Sequence, residues 1–427
     1  MGNSGIIWRI ALTGGEPEAF TSKMEGVDLR YADALPDGRG VLLTVNRGND
    51  LLQSSIAVVG PQGGEVRELF RGAMARYAES GHIVYTTADG TLMAAPFDLR
   101  SLQVTGSSVV MLEGVMVKRG SASQFTLSET GTLAYVEGET TDLTLAWYDR
   151  QGRATRLQLP PASYSRPRLS PDGAHLLVNV HGRDLTSINL ETGSRMQLGE
   201  APTDLVGVWT PDGSRVVISR WDGTSSRPFV QAADGSRSPQ PVGGGEIAGW
   251  VNSISLDGVL LLDEFGANRS DLLAVSLDGE EVTPPTDTPA SERGGMFSPD
   301  GRFIAYSSNA SGEWEVYVQP YPGFDSGKWT VSAGGGRLPM WSQDGTELFY
   351  IQENRSMMSV KVTTAPTFRA ERPEMLFEGD FSLWGGGDQS YDVAADGRFL
   401  MIQQPSYRAD VFVVQNFFEE LKRQVGN

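Results

Sequence analysis

Cysteine is absent from this chain of 427 residues, and histidine occurs only three times. Without cysteine there can be no disulfide and no thiolate metal site, and the redox compartment stays open. The three histidines, His82, His175 and His181, leave a Ser-His-Asp triad few candidates. His82 and His175 each follow closely on a turn and read as surface or strand-edge residues. No Gly-x-Ser-x-Gly pentapeptide, His-Glu-x-x-His pair or regular Asp-x-Asp calcium loop occurs, so the familiar local signatures of hydrolase elbows and metal sites are missing. Positive charge is also scarce: 35 Lys and Arg face 53 Asp and Glu, a net charge of −18. Such a field repels nucleic acid and anionic membrane surfaces, which argues against both as partners. No run approaches the roughly 20 apolar residues of a membrane span. The opening Met1-Gly2-Asn3-Ser4-Gly5-Ile6 lacks the basic start of a secretion signal. The chain as it stands is expected to be soluble.

Glycine, by contrast, is abundant at 51 residues, and it recurs in a phrase. Four copies keep a Pro-Asp-Gly core: Leu35-Pro36-Asp37-Gly38, Ser170-Pro171-Asp172-Gly173, Thr210-Pro211-Asp212-Gly213 and Ser298-Pro299-Asp300-Gly301. Three keep Asp-Gly alone, at Asp257-Gly258, Asp344-Gly345 and Asp396-Gly397, and two are worn, at Ser80-Gly81 and Ser128-Glu129-Thr130-Gly131. Successive copies stand 40 to 52 residues apart. A small polar residue followed by Pro, Asp and Gly is what a type I turn prefers at its four positions.

The flanks repeat as well. An apolar residue precedes most turns (Leu169, Trp209, Ile254, Phe297, Trp341, Val393), and Trp209 and Trp341 there read as packing residues. A β-rich run follows, as in Leu176-Leu177-Val178, Val216-Val217-Ile218, Leu260-Leu261-Leu262 and Phe303-Ile304-Ala305-Tyr306. Such runs bounded by turns predict strands buried on both faces. A second pair of strands follows about a dozen residues later, for example Asp271-Leu272-Leu273-Ala274-Val275 and Glu315-Val316-Tyr317-Val318-Gln319. Four antiparallel strands per unit of this period make one blade of a β-propeller. A sandwich of separate hairpins is the rival, but sandwiches do not repeat one phrase at a fixed period. The predicted fold is therefore all-β, a propeller with nine blade-like repeats. At the ends, residues 6–20 look like the outer half of a blade. Residues 391–416 supply inner strands plus Asp410–Asn416, and a short amphipathic tail follows. Either the two ends complete one blade in a single eight- or nine-bladed ring, or the chain begins partway through a propeller.

Longer phrases carry a resemblance. Thr91-Leu92-Met93-Ala94-Ala95-Pro96-Phe97-Asp98, Leu145-Ala146-Trp147-Tyr148-Asp149-Arg150-Gln151-Gly152, the stretch from Phe297 to Tyr350 with Glu315-Val316-Tyr317-Val318-Gln319-Pro320-Tyr321-Pro322-Gly323, and Asn416-Phe417-Phe418-Glu419-Glu420-Leu421-Lys422 are its carriers. With the Pro-Asp-Gly turns, they resemble the repeats of the TolB family. More narrowly, the chain is similar to the C-terminal sensor region of bacterial eukaryotic-like serine/threonine kinases. That region follows a kinase domain and a membrane helix, which this chain lacks. No Gly-rich phosphate loop or Asp-Phe-Gly occurs, and His181-Gly182-Arg183-Asp184 is no catalytic loop, so kinase activity does not transfer. The resemblance implies a sensor or interaction module: a six-bladed propeller over 141–427 with a short tail, preceded by an incomplete propeller of about three blades over 1–140. It also implies an extracytoplasmic location if the chain is part of a membrane-anchored kinase, and a cytoplasmic one otherwise.

Binding has a physical address. In a propeller the first strand of each blade lines the channel, and the loop leading into it sits on one rim. Those positions hold Tyr164 and Arg166, Asp204, Trp250 and Asn252, Arg293, Arg337, and Gln389 with Tyr391. Arginine pairs bidentately with carboxylates and aromatic residues anchor interfaces, so this rim suits a protein, a peptide or a small anionic ligand. The competing reading is that these side chains fill the rim and pair with neighbouring acids. Paired acids such as Asp263-Glu264, Glu280-Glu281 and Glu419-Glu420 read as solvated turn or tail positions. No catalytic residue, metal ligand or cofactor is assigned. The expected function is non-catalytic recognition. The rivals are a TolB-like envelope scaffold and a hydrolase or lyase with a site in the channel, which would need at least three convergent Asp, Glu, Asn or His side chains.

Overall fold

The computed structural model describes residues 5–47, 54–118, 122–138, 143–180, 184–199, 204–222, 225–266, 269–284, 288–353, 355–383, 389–404 and 410–425. Among them strands dominate, and the one α-helix is Phe417–Val425. The chain forms two compact units: Met1–Asp142 with Ser406–Asn427, and Leu143–Pro405.

The second unit is built from six antiparallel sheets of at least four strands among the described residues. In the first sheet, Tyr164–Leu169, His175–Val180, Asp184–Asn189 and Arg195–Leu198 pair in sequence order. The next four sheets repeat that order from first strands Asp204–Trp209, Trp250–Ile254, Glu292–Phe297 and Arg337–Trp341. The sixth is composite: Tyr391–Val393 and Phe399–Gln403 pair with Thr144–Tyr148 and Ala154–Arg156 from the start of the unit. The first strands neighbour one another in succession, and Tyr391–Val393 returns to Tyr164–Leu169. The circuit is thereby closed without an exposed sheet edge at the join. Second strands are buried almost throughout, as in Val216, Val217 and Ile218, because sheets pack on both their faces.

The repeated phrase makes the hairpin between first and second strands. In the Pro-Asp-Gly turn beginning at Ser170, the Gly173 amide donates to the Ser170 carbonyl at 2.8 Å, and Gly173 has φ +72°, where a side chain would be strained. The Ser170 hydroxyl donates to Asp172 at 2.5 Å and accepts from the His175 amide at 2.9 Å. Thr210 with Asp212, Ser298 with Asp300 and Ser342 with Asp344 repeat the hydroxyl–carboxylate bond. Hydroxyl donation holds the Asp172, Asp212 and Asp344 carboxylates below their ordinary range, and brings Asp212 to about 2. The small polar residue is thus as necessary to the turn as the glycine.

First strands also share a bulge. Their pairing shifts between Ser165 and Arg168, between Arg293 and Met296 and between Arg337 and Met340. At each bulge one residue has a left-handed backbone: Arg166 at φ +54°, Gly294 at +65° and Leu338 at +59°. A bulge reverses the alternation of side chains beyond it, and this decides which residues face the channel.

The first unit contains the other three inner hairpins, at Leu35–Gly38, Ser80–Gly81 and Ser128–Gly131. Asp28–Ala34, Val41–Asn46, Ser55–Val59 and Arg67–Arg71 form a four-stranded sheet, and Ala75–Ala78 opens the next. The third sheet takes its outer strand from far along the chain: Phe125–Leu127 and Leu133–Val136 are completed by Val411–Val414. The helix that follows buries Phe417 and Leu421 among Met74, Val84, Leu92 and Leu133. The tail therefore packs with residues 1–142, not with the second unit as the sequence reading had it. The reason is local: Phe417 donates its amide to the Gly131 carbonyl at 2.8 Å, and Tyr135 stacks on Phe412. Residues 8–19 do form a separate hairpin of two short strands. Among the described residues no strand pairing joins it to 391–403.

Candidate recognition site of the second unit

The first strands of all six sheets end around one cavity of about 380 Å³, on the side of the turns. Its wall is apolar, with Leu169, Trp209, Ile254, Phe297, Trp341 and Val393 from the position before each turn, and the turn prolines Pro171, Pro211 and Pro299. Trp209 and Trp341 pack as expected, but they also line this mouth. Each donates its indole N–H to the first strand of the preceding sheet, Trp209 to the Arg168 carbonyl and Trp341 to the Met296 carbonyl, both at 3.2 Å. The rings are therefore oriented by hydrogen bonds at one edge while the opposite part stays apolar. Leu256, which is 69% exposed, stands at the lip.

The floor is polar. Arg168 donates to the carbonyls of Pro167 and Tyr391 at 3.0 and 3.3 Å. Asp392 accepts from the Leu169 amide at 2.7 Å, which ties the sixth sheet to the first, and loss of hydration pushes its carboxyl up despite the nearby Arg168. Asn252 donates to Asp263 at 2.6 Å. Asp263 is fully buried and also accepts from the Gly294 amide, so it braces neighbouring first strands and is not the solvated acid the sequence suggested. Among the described residues lining the cavity, Asn252 and Asp392 are the only Asp, Glu, Asn or His side chains. Nor do three His, Asp or Glu converge as metal ligands anywhere among the described residues.

The predicted rim residues divide into two groups. Tyr164 and Tyr391 are fully buried and donate their hydroxyls to the carbonyls of Pro160 and Leu338, at 2.5 and 2.9 Å. They brace the ring and offer no surface to a ligand. Gln389 is likewise buried, bonded to the Pro339 carbonyl at 2.8 Å. Arg166, Trp250, Arg293 and Arg337 are half-buried at the start of the first strands, on the side away from the turns. Arg166 lies 4.8 Å over Trp250, which stacks on Trp221. Arg293 and Arg337 both lie over Trp314, at 5.9 and 4.7 Å. Asp204 begins its strand, but its side chain lies outside the described residues. Of the histidines, His82 is buried in strand His82–Thr86 and not at a surface or edge, with its ring 3.2 Å from the Ser80 hydroxyl and its pKa lowered by burial. His175 lies beside Trp209, and His181 is outside the described residues. Asn252, a predicted rim residue, lies on the cavity floor, whereas Arg168, Asp392, Trp221 and Trp314 carry no site signal in the sequence and only their closeness in space identifies them.

No protein-family model matches this sequence, and no curated protein does. Among solved structures, a chain described as TolB from Agrobacterium tumefaciens is similar over 63% of this chain and 100% of its own, at 17% identity and a TM-score of 0.51. TolB from Acinetobacter baumannii is similar over 79% of this chain and 80% of its own, at 11% identity and a TM-score of 0.37. A gluconolactonase from Xanthomonas campestris covers 62% and 95%, at 13% identity and 0.41. The first of these shows the fold: a TolB-like β-propeller. At such identities it says nothing of activity, and the two lower scores carry no argument.

Proposed function

We propose that this TolB-like propeller is a recognition scaffold with no chemistry of its own, which takes an apolar segment of a partner protein into the turn-side mouth of its second unit. The six sheets of that unit act in this reading as a six-bladed propeller, and residues 1–142 as an incomplete one. The observation that supports it is the mouth itself: apolar side chains from all six first strands converge on one cavity, above a floor where Arg168 and Asn252 donate hydrogen bonds to neighbouring groups. Apolar walls bind by removing surface from water, and oriented tryptophans lose little freedom on binding. The likeness to kinase sensor regions adds the further reading that the scaffold serves signalling outside the cytoplasm.

The test is selection of displayed peptides on the intact chain. Peptides carrying aromatic or aliphatic anchors are expected to enrich. Leu256→Asp at the lip is expected to weaken the selected peptides by about tenfold or more, a difference of about 1.4 kcal/mol. Met375→Asp, at another exposed apolar position, serves as the control and leaves them unchanged. Equal binding by the wild type and Leu256→Asp would overturn the reading.

A further inference from the structure

Beside the mouth, between the first and second sheets of the second unit, lies another cavity, of about 360 Å³. Trp209 stands in the wall of both. The ring of His175 lies 6.3 Å from that indole, centre to centre, and Ser187 of strand Asp184–Asn189 lines the space with it. Three carboxylates reach it from three different turns. Asp172 and Asp212 belong to inner hairpins of the two sheets, and Asp234 to the turn after strand Ser226–Ala232.

The corresponding place between the fourth and fifth sheets is filled. His175 stands two residues after its turn glycine, as Phe303 does, and Trp209 and Trp341 each precede a turn. Ser187 pairs with Leu177 as Val318 pairs with Ala305, so those two correspond as well. Phe303, Val318 and Trp341 belong to one buried apolar cluster, and Phe368 stands against both rings, at 5.4 and 6.4 Å. Between the first and second sheets polar side chains replace two of these three residues, and the cavity remains. Ser187 is only 3% exposed, and among the described residues its hydroxyl has no hydrogen-bond partner. A buried hydroxyl without a partner costs free energy, so one that lines a cavity points to a group held there.

The lip of the cavity is acidic. Asp172, Asp212 and Asp234 are exposed, and among the described residues none of them makes an ion pair. Turn hydrogen bonds, led by those from Ser170, Thr210 and Ser236, hold all three carboxyls below their ordinary range. The charges of Arg215 and Arg237 are the smallest influences on Asp212 and Asp234. No three acids or histidines among the described residues stand close enough to hold a metal ion, so the charge suits an extended cation. We propose that this cavity binds an organic cation, an alkylammonium or guanidinium group such as ends a lysine or arginine side chain. Its N–H groups give the Ser187 hydroxyl a donor, its stem lies along the Trp209 indole, and the carboxylates draw the charge in. The site does not depend on the peptide reading of the mouth. Either can fail while the other stands.

Titration of the intact protein with the Nα-acetyl methylamides of lysine and arginine tests the proposal, read by calorimetry and by saturation-transfer NMR of the ligand. The corresponding norleucine amide carries the stem without the charge, and cadaverine is a free diamine. Saturable binding of either basic amide marks a protein side chain as the source of the cation, and binding of cadaverine alone marks a free amine. Equal binding of the norleucine amide would report apolar contact alone and overturn the cation site. Asp234→Asn is expected to weaken the cation by about threefold, the worth of one exposed ion pair. Ser187→Leu, which fills the cavity, is expected to remove the binding. Asp278→Asn, at a turn acid outside the cavity, is the control and changes nothing. The wild-type titrations decide even if a variant misfolds: no cation saturating overturns the site. Full affinity in a folded Ser187→Leu would do so too.

Discussion

Arg150 grips Glu347 with two parallel hydrogen bonds, at 2.8 and 2.7 Å, across 197 residues of sequence. Arg150 lies in the turn after strand Thr144–Tyr148 of the composite sheet, and Glu347 opens the second strand of the sheet before it. The Ser359 hydroxyl adds a third bond to the carboxylate at 2.9 Å. The Arg150 side chain is 39% exposed, so solvent screens the pair, and Arg150→Ala is expected to cost about 1 kcal/mol.

Acid should dissolve that clamp in a defined direction. The Arg150 hydrogen bonds hold the Glu347 carboxyl below its ordinary range. Its contribution to stability is therefore complete above the unfolded value of about 4.3 and drains away as pH falls through the lowered one. Denaturant midpoints of the wild type and Arg150→Ala should converge as pH is lowered from about 6 through the lowered Glu347 value. A constant gap would contradict the assignment.

The Asp-Gly turns predict a second acid effect. Asp212, held at about 2 by the Thr210 and Ser214 hydroxyls, contributes stability above its unfolded value of about 3.9, and this is lost as pH falls towards 2. Asp212→Asn should flatten the pH dependence over that window in acid denaturation curves. Thr210→Ala should have a similar effect, since it removes the hydroxyl that both lowers the carboxyl and receives the Arg215 amide.

Leu421 is fully buried in the first unit. Leu421→Ala should destabilise that unit by roughly 3 kcal/mol, through lost burial and the cavity left behind. Hydrogen exchange read by peptide is the check: protection should fall at 75–136 and 411–425 and hold at 204–265.

The two units should also part company under stress. The second closes its circuit of sheets, whereas in the first, among the described residues, Trp8–Arg9 and Glu18–Ala19 pair only with each other and Val411–Val414 is the last strand of a three-stranded sheet. Limited proteolysis is expected to cut within 5–138 before it cuts 143–404. Equal resistance of the two would count against this.

The hairpins were legible because everything that makes them is local. Ser170, Asp172 and Gly173 form their bonds within six residues, and each repeat carries the same chemistry. What faces the channel was not legible for the same reason reversed. Period-two alternation places Tyr164 and Arg166 on one face, but the bulge at Arg166 breaks the count, and Tyr164 turns inward to Pro160. Asp263 looked like a turn acid because the sequence beside it is acidic. Its partner Asn252 sits on the neighbouring strand, and Gly294 on the next sheet. The destination of Val411–Val414 was equally hidden, since its partner Leu133–Val136 lies almost three hundred positions upstream, with the whole second unit between.

That interposed arrangement sets a schedule for synthesis. As a ribosome extends the chain from its amino end, every strand of the composite sheet has emerged once Gln403 is clear, so the circuit 143–405 can lock while translation continues. Leu133–Val136 has been made long before, yet its neighbour Val411–Val414 is still to come. The nascent protein would thus present a finished apolar mouth before its amino-terminal portion had acquired its last strand and its terminal helix.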